Sequence, residues 1–304
     1  MKTIKNVGAS VRQRLANLSK AEEKPFQEIL QYYAMERFLH RLALSPHCKT
    51  FILKGGLMLW VWGGLSARHT MDIDMLGQTS NDVSSVVQIM KEVCLVEVEE
   101  DGLSFDSEAA IGSLITKDGD YQGVRISFPC TLSGAKVKIQ LDIGFGDVIY
   151  PAPQICEIPG LIAEQSPTCL CCYPRQTVIS EKFEAMVHLG ELNSRMKDFY
   201  DIWLLSKNSD FKCDELLEAI KRTFNKRGTD FGEQLPFLEP TFAKSRASNW
   251  KTFRRKMKSD SIPESFTQIL TDLKPFLEPL SKALRTGNAL GNWRAGQGWT
   301  KGIF

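Results

Sequence analysis

The apolar positions of this chain follow two rhythms, and the switch between them marks its organisation. Over residues 25–45 (PFQEILQYYAMERFLHRLALS), Ile29, Leu30, Tyr33, Phe38, Leu39 and Leu42 recur at the spacing of one side of a helix. Pro25 suits its first turn and Pro46 lies just beyond its end. A shorter amphipathic stretch (Val11, Leu15, Leu18) sits in the basic lead-in before it. TFILK (50–54), ended by Gly55-Gly56, reads as a strand and a tight turn, and LMLWVWGGL (57–65) as a short buried helix. MDIDML (71–76) alternates apolar with acidic residues, the period of a strand with one open face. A helix is predicted over 82–95. Strands are predicted at VEVEE (96–100), GLSFD (102–106), GVRISFPCTL (123–132) and KVKIQLDIGFGD (136–147).

After Pro151 and Pro153 the helical spacing takes over, at 174–192, 196–207, 213–226 and 262–285. The expected fold class is therefore α+β: a mixed sheet with flanking helices over residues 1–167, then a mostly helical lobe over 168–304. The Gly-rich tail 287–304 is short of aliphatic residues and is expected to be flexible or ordered only against a partner. There is no internal repeat and no low-complexity tract.

Composition narrows the class. Hydrophobic residues make up 43% of the 304 and charged ones 24%, as in an ordinary globular protein. A net charge of only +2 means that any polyanion site must come from local clustering of Lys and Arg. No apolar run approaches the roughly 20 residues needed to span a bilayer. The basic N-terminus lacks the apolar core of a secretory signal, so the cytoplasm is the expected compartment. Eight cysteines are scattered apart from CLCC (169–172), with no second Cys or His pair at zinc spacing, and are expected to be reduced thiols.

The candidate chemistry starts at Asp72-Ile73-Asp74. On a strand, side chains two apart share a face, so both carboxylates converge and repel unless a cation lies between them. Mg²⁺ takes carboxylate oxygens plus substrate phosphates and suits that seat; solvated acids on an open strand face are the alternative. Upstream, Lys54-Gly55-Gly56 closes one strand and opens a helix, where bare backbone can approach a phosphate. Asp142 sits among Val137, Ile139, Leu141 and Ile143, a costly place for an acid without a metal or cationic partner. Asp72, Asp74 and Asp142 could thus serve phosphoryl-transfer metals, which typically lie about 3.5–4 Å apart.

The stretch YAMERFLHRLALSPHCKTFILKGGLMLWVWGGLSARHTMDIDML, with SEKFEAMVHLGELNSRMKDFYDIWLL further on, resembles the AbiEii/AbiGii nucleotidyltransferase toxins of the DNA polymerase β-like superfamily. The likeness runs from about residue 27 to about residue 206 and involves four blocks in order. It implies that Gly55 and Gly56 face a triphosphate and that Asp72 and Asp74 bind metal. It further implies that Lys182 contacts nucleotide phosphate and that Asp198 is essential, with Asp201, one turn on, as an alternative. A salt bridge joining two helices, through Arg195 or Lys182, is the competing account of these acids. Arg68 could neutralise a phosphate or pair with Asp72. Thr70 shares the face of Asp72, and a phosphate there would add about −2 charges beside the metal seat.

The resemblance also implies a toxin of a toxin–antitoxin or phage-defence system that moves a nucleotide from an NTP, with Mg²⁺, to an RNA acceptor such as the tRNA 3′ end. An antitoxin from the same operon is the implied partner, and no membrane. Lys244, Arg246, Lys251, Arg254, Arg255, Lys256 and Lys258, interleaved with Trp250 and Phe253, could track a phosphate backbone or be a solvated helix face. A small-molecule acceptor, as in antibiotic-modifying enzymes, and a non-catalytic nucleotide-binding protein are the alternative functions. The four histidines lie at no metal-ligand spacing; His69 alone is expected near the mouth of the site.

Overall fold

The computed structural model describes residues 6–64, 68–117, 121–232, 234–257, 262–288 and 290–301. Two compact units emerge: Met1–Gly146 with Gln154–Tyr173, and Asp147–Pro153 with Pro174–Phe304. The expected α+β class holds, with strands gathered in the first unit and helices dominating the second.

In the first unit, α1 (Val7–Ala21) starts where the Asn6 side chain accepts from Ala9 N at 2.9 Å, and α2 (Phe26–Leu44) follows. Every residue of α2 from Ile29 to Leu42 is buried, polar ones included, so those polar groups must be paired. Arg41 grips Asp101 with two contacts, and Arg37 donates to the backbone oxygen of Ser166 at 3.0 Å. Thr168 donates to Glu36 at 2.9 Å. The apolar side of the helix, with Phe38 ringed by Phe105 and Phe128, covers the sheet.

That sheet has eight strands: β1 (Phe51–Lys54), β2 (Ile73–Gly77), β3 (Leu103–Phe105), β4 (Ile111–Lys117), β5 (Tyr121–Leu132), β6 (Ala135–Phe145), β7 (Gln154–Ile158) and β8 (Thr168–Cys172). Their order is β3-β5-β6-β2-β1-β8-β7, with β4 also paired to β5. Helix α3 (Leu57–Gly63) follows β1, and α4 (Val83–Cys94) follows β2, opened by Asp82 accepting from Ser85 N at 2.8 Å. The parallel β2–β6 and β1–β8 pairings sit among antiparallel ones, so the sheet is mixed. Leu53, Ile73, Met75, Val124, Ile126, Leu141 and Ile143 bury one of its faces completely.

The second unit contains α5 (Arg175–Leu189), α6 (Met196–Asn208), α7 (Cys213–Arg227), α8 (Pro240–Ser245), α9 (Ala247–Met257) and α10 (Phe266–Thr286). Phe199 is its hub, with the rings of Phe237, Phe242 and Phe266 at 5.1–6.0 Å.

Four local expectations change. Residues 96–100 form no strand; all three glutamates there lie in a loop, and Glu99 accepts from Ser166 N. Strands β4, β7 and β8 and helices α8 and α9 were not anticipated by periodicity. The two candidate acids straddle a boundary, because β2 begins at Ile73 and Asp72 lies in the bend before it. The described residues of the tail pack on their own unit: β9 (Trp293–Arg294) and β10 (Gly298–Trp299) pair as a small hairpin. Trp293 is buried, stacks edge-on to Phe276 at 4.7 Å and donates to Ser206 O at 2.7 Å. Two anchoring tryptophans, not aliphatic residues, hold this segment. No disulfide joins any of the eight cysteines.

Candidate active site

Strand pairing turns four scattered residues into one row. Lys54 of β1 is opposite Asp74 of β2, Asp74 is opposite Asp142 of β6, and Asp142 is opposite Arg125 of β5. Residues directly opposite share a face of the sheet with Cβ atoms roughly 5 Å apart. The row therefore reads cation, carboxylate, carboxylate, cation. Arg125 binds Asp142 bidentately, Nε and Nη2 each donating at 2.7 Å. Its guanidinium is held charged more firmly than usual, first by the hydrogen bond to Asp142 and then by the negative charge of Asp142, Asp72 and Asp74. Lys54 is buried, with Nζ 3.5 Å from the Tyr173 hydroxyl and 5.2 Å from the centre of its ring.

The Gly55-Gly56 turn packs directly on this row. Gly55 has φ +71°, and a Cβ placed there would overlap the Asp74 carboxylate. A Cβ on Gly56 would stand 3.0 Å from Thr70 Oγ1 and 3.1 Å from Arg68 Nη1. The two glycines thus leave bare backbone beside Asp74, Thr70 and Arg68, all within the first unit. Thr70 Oγ1 donates to Asp72 at 2.7 Å, so the hydroxyl and carboxylate expected to share a face are hydrogen-bonded.

Helix α2 fixes the segment that carries Asp72. The Tyr32 hydroxyl accepts from Thr70 N at 3.2 Å and reaches Arg68 O at 3.4 Å, while Gln31 donates to the backbone oxygens of Met71 and Lys138. Burial pushes the Tyr32 phenol up to about 12, so it remains a neutral donor. His69 is half-buried, and desolvation holds its pKa below the ordinary value; Glu28 lies 3.4 Å from Nδ1. Spacing alone did not reveal Tyr32, Gln31 or Arg125. Arg125 had a signal, however. The two-residue Ser133-Gly134 turn, with φ 44° and 82°, sets Leu132 opposite Ala135, and counting back along the hairpin puts Arg125 opposite Asp142.

The second predicted cluster lies in the helical unit. Lys182 of α5 donates to Asp198 of α6 at 2.7 Å and contacts Asp201 at 2.8 Å. Arg195 Nε lies 2.7 Å from the other Asp198 oxygen, in ion-pair contact but not aligned as a hydrogen bond. Both carboxylates are fully buried, so the pairing left open between Arg195 and Lys182 is made with both. In the basic segment, Trp250 and Phe253 pack on one another, and Trp250 is buried and donates to Pro263 O. Arg246 ties to the backbone of Asn193. Lys244, Lys251, Arg255 and Lys256 face solvent, and α8 and α9 hold no acid. Lys258 lies outside the described residues.

Among the described residues, no three acidic, histidine or cysteine side chains form a closed metal cage. Mg²⁺ needs none, since it binds through one or two carboxylates and completes its shell with water and substrate phosphates. Asp72 and Asp74 beside the bare glycine turn fit such an open seat. No described helix is long and apolar enough to cross a membrane.

Solved structures share the fold of this chain. One is an H. pylori protein described as a candidate nucleotidyltransferase, matched at TM-score 0.50 and 13% identity over 86% of this chain and 98% of that one. Another is JHP933 from Helicobacter pylori, at TM-score 0.51 and 14% identity over 85% and 94%. No curated protein matches the chain. The family model described as "Nucleotidyl transferase AbiEii toxin, Type IV TA system" matches residues 37–272, and the chain belongs to that family. The match extends past residue 206, through the helical unit to α10.

Proposed function

We propose that this chain transfers a nucleoside monophosphate from an NTP to an RNA acceptor, the tRNA 3′ end, with Mg²⁺ held by Asp72 and Asp74. The observation that carries this reading is the Gly55-Gly56 turn lying bare against Asp74 and Thr70, where a side chain would collide. Lys54 and Arg68 bring positive charge to that turn for the triphosphate, and Asp142 is the third carboxylate of the seat. Bound Mg²⁺ supplies charge neutralisation and polarises the phosphoryl oxygens. The terminal ribose hydroxyl of the acceptor attacks the α-phosphorus. A new phosphodiester bond forms as the bond to the β-phosphate breaks, and pyrophosphate leaves. We assign Lys182 and Asp198 to activity, with Asp201 as the alternative to Asp198.

The acid-free run of exposed Lys244, Lys251, Arg255 and Lys256 favours RNA over a small acceptor, which needs no extended positive surface. Such an enzyme harms its host, so a cognate antitoxin, a cytoplasmic setting and a role in phage defence belong to the same reading. Phosphate on Thr70 would remove its donor to Asp72 and place like charge at the seat, silencing the enzyme. The test incubates the protein with total tRNA, Mg²⁺ and each of four α-³²P-labelled NTPs. Label on RNA from wild type and none from Asp72→Ala supports the reading. Label on neither RNA nor a small acceptor would sink it.

A further inference from the structure

Arg125 is the least expected member of the charged row. Its side chain is 42% exposed, while that of the carboxylate it grips is only 4% exposed. The guanidinium therefore ends an arm that can leave toward water, whereas Asp142 sits on a paired strand among fully buried residues and cannot follow. Two donors occupy both oxygens of Asp142. Asp74 is directly opposite Asp142 on the neighbouring strand. A divalent cation drawn to Asp72 and Asp74 would thus meet a third carboxylate whose charge is already neutralised, and a cation that would repel it.

We propose that Arg125 is the resident counter-ion of Asp142, and that a divalent ion entering the acidic row must displace it. Metal uptake and the Arg125–Asp142 pair are then mutually exclusive at that carboxylate. This rests on the reading of Asp72 and Asp74 as a metal seat, and makes Arg125 a positioning residue that sets how many carboxylates the seat offers. The bidentate geometry matters, because a lysine would neutralise the acid through one point contact and yield it more easily.

The test is titration of the full chain with Mn²⁺, without nucleotide, followed by the EPR signal of the free ion. Arg125→Gln should tighten Mn²⁺ binding on the order of tenfold, the scale on which one adjacent opposite charge alters a carboxylate's affinity for a cation. Arg125→Lys should tighten it less. Adding Asp142→Asn to Arg125→Gln should return the affinity to near wild type. Should Arg125→Gln melt far below wild type, Arg125→Lys carries the comparison. Unchanged affinity in both variants, or a gain undiminished by Asp142→Asn, would overturn the proposal. Wild-type uptake that disappears in Asp72→Ala but ignores Arg125 would remove the counter-ion role and leave the metal seat standing. No uptake by wild type, with Asp72→Ala indistinguishable from it, would remove both.

Discussion

The two acidic clusters make opposite use of the same residue types. In the helical unit, Asp198 and Asp201 are wholly buried and share Lys182, with Arg195 on the other Asp198 oxygen. In the sheet unit, Asp72 and Asp74 stay partly open beside two glycines, and the bidentate cation of the row is spent on Asp142. A buried cluster of that kind ties α5 to α6, in addition to the part in activity that we assign to Lys182 and Asp198. Partly open carboxylates beside bare backbone are the arrangement that we propose takes a metal. Exposure, not the acids themselves, distinguishes them.

Substitution should separate the two. Asp72→Ala should lower transfer by roughly 10³-fold or more, the scale of losing a charge-stabilising group in phosphoryl transfer, with little change in the unfolding midpoint. Lys182→Met should act on stability first. Two buried carboxylates lose their shared cation, a loss of about 3–5 kcal/mol that urea unfolding would register. A Lys182→Met protein as stable as wild type but inactive would assign Lys182 to chemistry alone and erase the contrast drawn here.

Smaller changes sharpen it. Gly55→Ala adds a left-handed backbone penalty of roughly 1 kcal/mol and pushes Asp74 aside, so transfer should drop much further than stability. Thr70→Glu should depress activity, and Thr70→Val, which only loses the donor to Asp72, should do so less; a Thr70→Glu enzyme equal to wild type would exclude control by phosphate there. The weakest effect expected is on pH. Burial, then Arg37, holds the His40 pKa below its ordinary 6.5, and burial does the same to His69. The unfolded chain therefore takes up these protons first. Stability is complete above pH 6.5 and declines as pH falls below it. Melting at pH 7.5 and 5.5 should show that drop, and His40→Gln should reduce it.

Much of this was legible where signals are local. The 3.6-residue stripes of α2, α5, α6, α7 and α10 and the alternation in β2, β5 and β6 follow from the side each residue must bury. What escaped depends on distant partners. TCLCC becomes β8 because Leu53 pairs with Cys172 across more than a hundred residues, and QICEI becomes β7 only as the edge beside it. At the candidate site, Asp72, Asp74 and the glycines stood out in the sequence as candidates. The row did not, because joining Asp74 to Asp142 requires the parallel β2–β6 register, which no spacing encodes. The tail misled for another reason: Trp293 and Trp299 stack on Phe276, an anchoring that a count of aliphatic residues overlooks.

The central claim is that Asp72 and Asp74 form a metal-dependent seat for a triphosphate, and calorimetric titration with each NTP tests it most directly. The account predicts binding that requires Mg²⁺ and that vanishes in an Asp72→Asn, Asp74→Asn protein melting like wild type. Nucleotide binding that is indifferent to Mg²⁺ and to both substitutions would contradict it.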